Sequence, residues 1–308
     1  MAMNLILNTM WLWLVLTAVA PAAGQETPDR VVAIVGGHKI FLSQIDHEYH
    51  RKFAQRDVGD ELETRLRSRI LQRLIDQSLV LARFRDTEIR ATADEIDLEL
   101  SRMREELALT ERTLEAFLVE NRCSMNGLRF NLDWQISWKR YLDQSLTDEV
   151  LQKYFARHRR QFDGTQLRVS HCLLAVDDSL PNSETTTLEL AQELRKQITS
   201  GADTFENIVA THSTTPSKKR QGDLGWISFE GPMSRGFTQA AWQLQKDQIS
   251  PPTRTPHGVH LIKCIDIREG VKPWYDAKQP LRKAAAEELF RRISEKQKTM
   301  LDIQRITQ

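Results

Sequence analysis

Two histidines stand where apolar strands would otherwise run. His171 lies in Leu167-Arg168-Val169-Ser170-His171-Cys172-Leu173-Leu174, and His260 in Gly258-Val259-His260-Leu261-Ile262-Lys263. Alternation along an extended chain puts His171 on the face of Val169 and Leu173, and His260 on the face of Ile262. An imidazole on an apolar face needs a hydrogen-bond partner or it costs stability. Two such histidines, on strands that open and close one segment, can satisfy each other. Two unrelated core histidines, each separately satisfied, account for the same residues. The cysteines Cys123, Cys172 and Cys264 form neither a disulfide framework nor a metal-ligand spacing. Alternation points Cys172 away from His171 and Cys264 to the face of His260, so these two should not pair and read as small buried hydrophobes.

The elements that must hold these residues fall into two regions. Val31 to Val35, a Gly36-Gly37 turn and a second short strand to Ile40 come first. Ser43 offers an N-cap for a helix to about Gln55, with Asp46 three residues on. Leu62, Leu66, Ile70, Leu74 and Leu81 mark a long helix ending near Arg85. Thr92 with Glu95 reads as a capping box, Thr110 and Ser124 open further helices, and Thr147 caps one running to about Phe162. Trp134 and Trp138, one turn apart, read as core or as the lining of a peptide groove. Gly164 marks a boundary, after which strands at 167–174, 222–229 and 259–267 alternate with helices at 187–199, 205–211 and 234–244. Gly201 suits a left-handed C-cap. A last helix spans about Asp276 to Met300, and the alternating tail Asp302 to Ile306 fits a strand pairing with Val31 to Val35.

Composition sets limits. The 308 residues carry a formal net charge of +1 with 40% hydrophobic side chains, which suits a globular chain of roughly two domains. Lys and Arg are dispersed, which argues against a nucleic-acid or anionic-membrane footprint. Residues 1–24 read as a signal peptide cleaved between Ala20 and Gln25, the alternative being an uncleaved anchor. The expected location is periplasmic or otherwise exported.

One ordered series of motifs goes further: His171, then His212-Ser213-Thr214-Thr215-Pro216-Ser217, Gly222-Asp223-Leu224-Gly225-Trp226, Met233, Phe237, and Thr255-Pro256-His257-Gly258-Val259-His260-Leu261-Ile262-Lys263. Over about a third of the chain this resembles the parvulin (PpiC-like) peptidyl-prolyl isomerases. The resemblance implies an α/β domain at 164–268 around a four-stranded antiparallel sheet. It makes His171 and His260 the paired core histidines and Thr255 the hydroxyl joined to them. Leu224, Met233 and Phe237 become the pocket for the substrate proline, with Trp242 the aromatic residue behind it. Thr215 stands where the family more often has Cys or Asp, Gln221 where a Gly is common, and His257 where Ser, Phe or Tyr is usual. No metal or cofactor is implied.

The flanks resemble the periplasmic SurA-like chaperones: a helical module at 30–162 completed by 274–308, giving an α+β chain overall. The implied function is an exported peptidyl-prolyl cis/trans isomerase and chaperone for secreted or outer-membrane proteins. Its partners would be unfolded or nascent exported polypeptides containing proline, with no nucleic acid, and a membrane only if the N-terminal segment stays uncleaved. The alternative is a catalytically inactive parvulin-like module in a peptide-binding chaperone. The loop Asp177-Asp178-Ser179-Leu180-Pro181-Asn182-Ser183-Glu184 is acidic and would repel a phosphorylated substrate. The Lys218-Lys219-Arg220 run reads as a solvated loop tip.

Overall fold

The computed structural model describes residues 29–53, 58–177 and 179–306. The expected leader at 1–24 and Asp178 of the acidic loop lie outside them. The chain divides into two compact units. One holds the described residues up to Leu79, Thr92–Leu132 and those from Met300 onward; the other holds Val80–Ala91 and Asp133–Thr299. No helix among the described residues is long and apolar enough to cross a membrane.

In the first unit, β1 (Val31–Val35) turns through Gly36 and Gly37 into β2 (His38–Phe41). The C-terminal β7 (Ile303–Arg305) pairs antiparallel with the other edge of β1, as the alternating tail suggested. α1 (Leu42–Phe53) starts differently from the sequence reading. Ser43 lies inside the helix and donates its hydroxyl to the Asp29 carboxylate, which also accepts its amide at 3.2 Å. Gln44 Oε1 accepts the Phe41 amide at 2.9 Å. A carboxylate is the stronger acceptor, so Asp29 displaces Ser43 from the capping role.

α2 (Asp60–Arg83) runs on into the second unit. α3 (Ala93–Ala108) begins with the Thr92–Glu95 capping box. α4 (Leu114–Glu120) is capped by Thr113, not Thr110, because Thr110 and Glu111 (φ +55°) form the turn after α3. α5 (Met125–Ser145) takes its cap from Ser124, whose hydroxyl accepts the Gly127 amide at 3.1 Å.

In the second unit, α6 (Asp148–Phe162), capped by Thr147, packs against α10 (Lys278–Lys298) through Leu151, Tyr154, Phe162, Leu281 and Ala285. Trp134 and Trp138 stack at 5.2 Å and meet Phe290 edge-on, a packed aromatic cluster. The sheet runs β4 (Asp223–Ser228), β3 (Gln166–Leu174), β6 (Gly258–Arg268), β5 (Thr253–Thr255), antiparallel throughout. One face is covered by α7 (Ser183–Ser200) and α8 (Phe205–His212), over Cys172, Leu174 and Leu261. The other is covered by α9 (Arg235–Ala241), over Leu167, Val169, Ile262 and Cys264. The three cysteines are free and buried, with Cys172 and Cys264 on opposite faces. α7 starts four residues earlier than its apolar spacing indicated. β5, only three residues long, is too short for alternation to reveal. The chain is α+β, with a four-stranded antiparallel sheet in the second unit.

Candidate functional site

β3 and β6 are neighbours, and their register sets His171 opposite Ile262 and His260 opposite Leu173. The two imidazoles therefore meet diagonally, with Nδ1 to Nδ1 at 3.1 Å. Only one of these nitrogens can carry the proton, so the pair has one donor and one acceptor. The chain of contacts extends at both ends. His260 Nε2 lies 2.8 Å from Thr255 Oγ1, and His171 Nε2 lies 3.0 Å from Ser217 Oγ. Ser217 and Thr215 hydroxyls are 2.7 Å apart, and Thr215 Oγ1 is 3.5 Å from His171 Nε2. If Thr255 donates to His260 Nε2, every proton along the line points one way; if it accepts, every proton reverses. The network is thus a set of coupled, neutral hydrogen bonds.

Both rings are kept neutral by their surroundings. His171 is pushed down to about 4 by burial. His260 is pushed down to about 4 by burial first, and then by repulsion from His171 and His257. Phe237, 2% exposed, presents its ring edge-on to His171 at 5.9 Å and to His260 at 5.3 Å. Leu224 and Met233 are half-buried against the same apolar cluster. Trp242 belongs to this cluster, edge-on to Phe229 at 5.3 Å, its Nε1 donating to the Arg160 carbonyl at 2.8 Å. Of the eight expected site residues, His171, His260, Thr255, Thr215 and Phe237 are joined by direct contacts, and Leu224, Met233 and Trp242 belong to the apolar cluster that contains Phe237.

The Gly-Asp-Leu-Gly run has a mechanical explanation. The Gly222 carbonyl accepts the His171 amide at 3.0 Å, and a Cβ on Gly222 would sit 2.3 Å from the His171 oxygen. With φ at +79°, only glycine passes so close. Asp223 then braces the turn, accepting the Gly225 amide at 2.7 Å and pairing with Arg168 at 2.8 Å. The Arg168 hydrogen bond holds its carboxyl below the usual range. Gln221 adopts φ +56°, which explains the preference for glycine there. His257 is exposed, its amide donating to Thr255 Oγ1 at 3.2 Å. Glu184, which the structure places in the first turn of α7, pairs with Arg254 at 3.2 Å.

Ser217 was not singled out by the sequence reading. The available signal was a hydroxyl two residues beyond Thr215, in the 3-10 turn Pro216–Arg220. Ser217→Ala leaves His171 Nε2 with only the long contact to Thr215. We expect it to lower unfolding stability by about 1–2 kcal/mol, the cost of an unsatisfied buried acceptor or donor. Equal urea midpoints for variant and wild type would refute this.

Residues 171–266 match the model of the PPIC-type PPIase (rotamase) domain, and residues 1–142 that of the SurA-like N-terminal domain. The Chaperone SurA of Xylella fastidiosa is 27% identical over 296 residues, covering 88% of this chain and 60% of that protein. The Chaperone SurA of Aromatoleum aromaticum is 24% identical over 280 residues, covering 87% and 62%. The Foldase protein PrsA 2 of Bacillus anthracis is 26% identical over 235 residues, covering 75% and 72%. The chain spans about 60% of the length of the first curated relatives it matches. A crystal structure of the peptidylprolyl isomerase PrsA from Bacillus anthracis aligns with TM-score 0.40 and 22% identity, covering 74% of this chain and 95% of that one. The chain thus carries a SurA-like N-terminal domain followed by a PPIC-type peptidyl-prolyl isomerase domain.

Proposed function

We propose that the 164–268 segment catalyses cis/trans isomerisation of X-Pro bonds in unfolded exported polypeptides, within a protein that also holds such chains as a chaperone. The observation that carries this reading is the neutral, buried imidazole pair lying under Phe237. Rotation about a peptide bond faces a barrier of ~18–20 kcal/mol because the twisted amide loses resonance. A catalyst has to bind the twisted form better than either planar form. In this reading Leu224, Met233 and Phe237 hold the pyrrolidine ring, and the preceding carbonyl turns in a poorly hydrated environment. His171, His260, Thr255 and Thr215 shape and polarise that environment; no covalent nucleophile takes part. The flanking helices at 30–162 and 274–308 hold the extended client. A leader at 1–24 would direct the protein out of the cytoplasm.

A second reading has one observation in its favour. Thr215 offers a neutral hydroxyl 3.5 Å from His171, where the family more often has an ionisable side chain. In that reading the domain binds proline segments without turning them over. Proline-limited refolding of a denatured client separates the two. Acceleration that rises in proportion to protein concentration supports catalysis. Binding of the unfolded chain with no acceleration above background removes the isomerase reading.

A further inference from the structure

The pocket helix α9 is seven residues long, too short to hold its own position in water. Phe237 sits in its middle, so whatever fixes its ends fixes the pocket. Both ends are tied to the α6–α10 pair. At the start, Arg235 pairs with Glu287 of α10. At the end, Trp242 Nε1 donates to the Arg160 carbonyl of α6 at 2.8 Å, and Arg160 Nη1 donates back to the Leu244 carbonyl at 2.8 Å. The last turn of α6 is set by a break at His158 (φ −119°, ψ 22°), two residues before Arg160. From the same turn Phe162 contacts Phe229, which in turn contacts Trp242.

The state of Arg160 is unusual. Its Nε and Nη2 are buried without a hydrogen-bond partner, and no acidic side chain pairs with it among the described residues. A half-satisfied buried guanidinium is a poor choice for stability alone. We infer that Arg160 is a positioning residue for the proline pocket, fastening the C-terminal end of α9 to α6 while the Arg235–Glu287 pair fastens the other end to α10. The inference deepens the isomerase reading and rests on it for its kinetic readout. Its consequence is that a polypeptide displacing α6 against α10 changes the affinity of the pocket for proline.

The test uses the full chain with Arg160→Met, Arg160→Lys and Glu287→Gln. Arg160→Met keeps much of the side-chain bulk, removes the half-satisfied charge and leaves the Leu244 carbonyl without its donor, while the Trp242 bond to the backbone carbonyl of residue 160 stays; the two effects on stability oppose each other, so its thermal midpoint should lie close to that of wild type. Amide exchange at Thr238 and Trp242, whose N–H groups bond within α9, should rise roughly tenfold without a matching rise in β3 and β6. KM for a proline tetrapeptide should rise about fivefold with kcat nearly unchanged, the signature of lost uniform binding. Arg160→Lys, which retains a donor for Leu244, should recover most of both effects. Glu287→Gln alters a solvent-exposed pair and tests the other tether without threatening the fold. Unchanged α9 exchange in both Arg160→Met and Glu287→Gln overturns the inference, as does loosening spread evenly over the sheet. A wild-type protein that turns over no peptide refutes the isomerase reading, and α9 exchange then decides this inference alone.

Discussion

Phe237→Ala is expected to lower kcat/KM for a proline peptide by about a hundredfold, or about 2.7 kcal/mol of transition-state stabilisation. Two losses combine. A pyrrolidine ring buries three methylenes, worth about 0.8 kcal/mol each, and removing the phenyl opens that grip to water. The phenyl also packs in T-shaped contact with both imidazoles, at 5.9 and 5.3 Å. Its removal hydrates them and raises the local dielectric in which the carbonyl must turn. Truncating so buried a ring should also cost about 3–5 kcal/mol of stability, so activity is to be measured where circular dichroism shows the variant folded. Phe237→Leu keeps apolar volume and should lose less than tenfold. If Phe237→Ala, folded, turns over peptide within threefold of wild type, the proline ring does not sit beside this residue.

Several features of fold and site were legible because they rest on local physics. Thr92 with Glu95, Ser124 and Thr147 each cap the helix that follows, since a side-chain oxygen and an amphipathic run lie within a few residues. Alternation along β3 and β6 set the two histidines on faces from which they could meet, and separated Cys172 from Cys264. Partners distant in sequence were beyond that logic. Asp29 takes the cap of α1 from 14 residues away. Arg160 meets Trp242 across 82 residues. Ser217 stands just before the Lys218-Lys219-Arg220 run that reads as a solvated loop tip, and only the fold of the turn 216–220 onto β3 brings its hydroxyl to His171. The same holds for Gly222, whose need for glycine is a matter of one carbonyl passing beneath it.

Stability should fall as pH drops from about 6.5 to about 4, and the imidazole pair supplies the reason. In the unfolded chain a histidine titrates near 6.5, whereas burial holds both His171 and His260 down to about 4 when folded. Between those values the unfolded state binds more protons than the folded one, so the free energy of unfolding rises with pH across the window. The contribution is complete above pH 6.5, is lost as pH falls toward 4, and does not change further below that. One such imidazole accounts for about 3 kcal/mol over the full window, at about 1.4 kcal/mol per unit. Protonating either ring also puts hydrogens on both its nitrogens, and a second charge would then be repelled by the first. Carboxylates held low by ion pairs, such as Asp223 and Glu206, lose their contribution only below about pH 4.5. The interval from 6.5 to 5 therefore isolates the histidines. Urea midpoints measured across it should slope downward in wild type and flatten in a His171→Asn/His260→Asn double variant, itself less stable at pH 7.5. Equal slopes in the two proteins would mean that the imidazoles are not held neutral by burial, and the low-dielectric pocket over them would go with that premise.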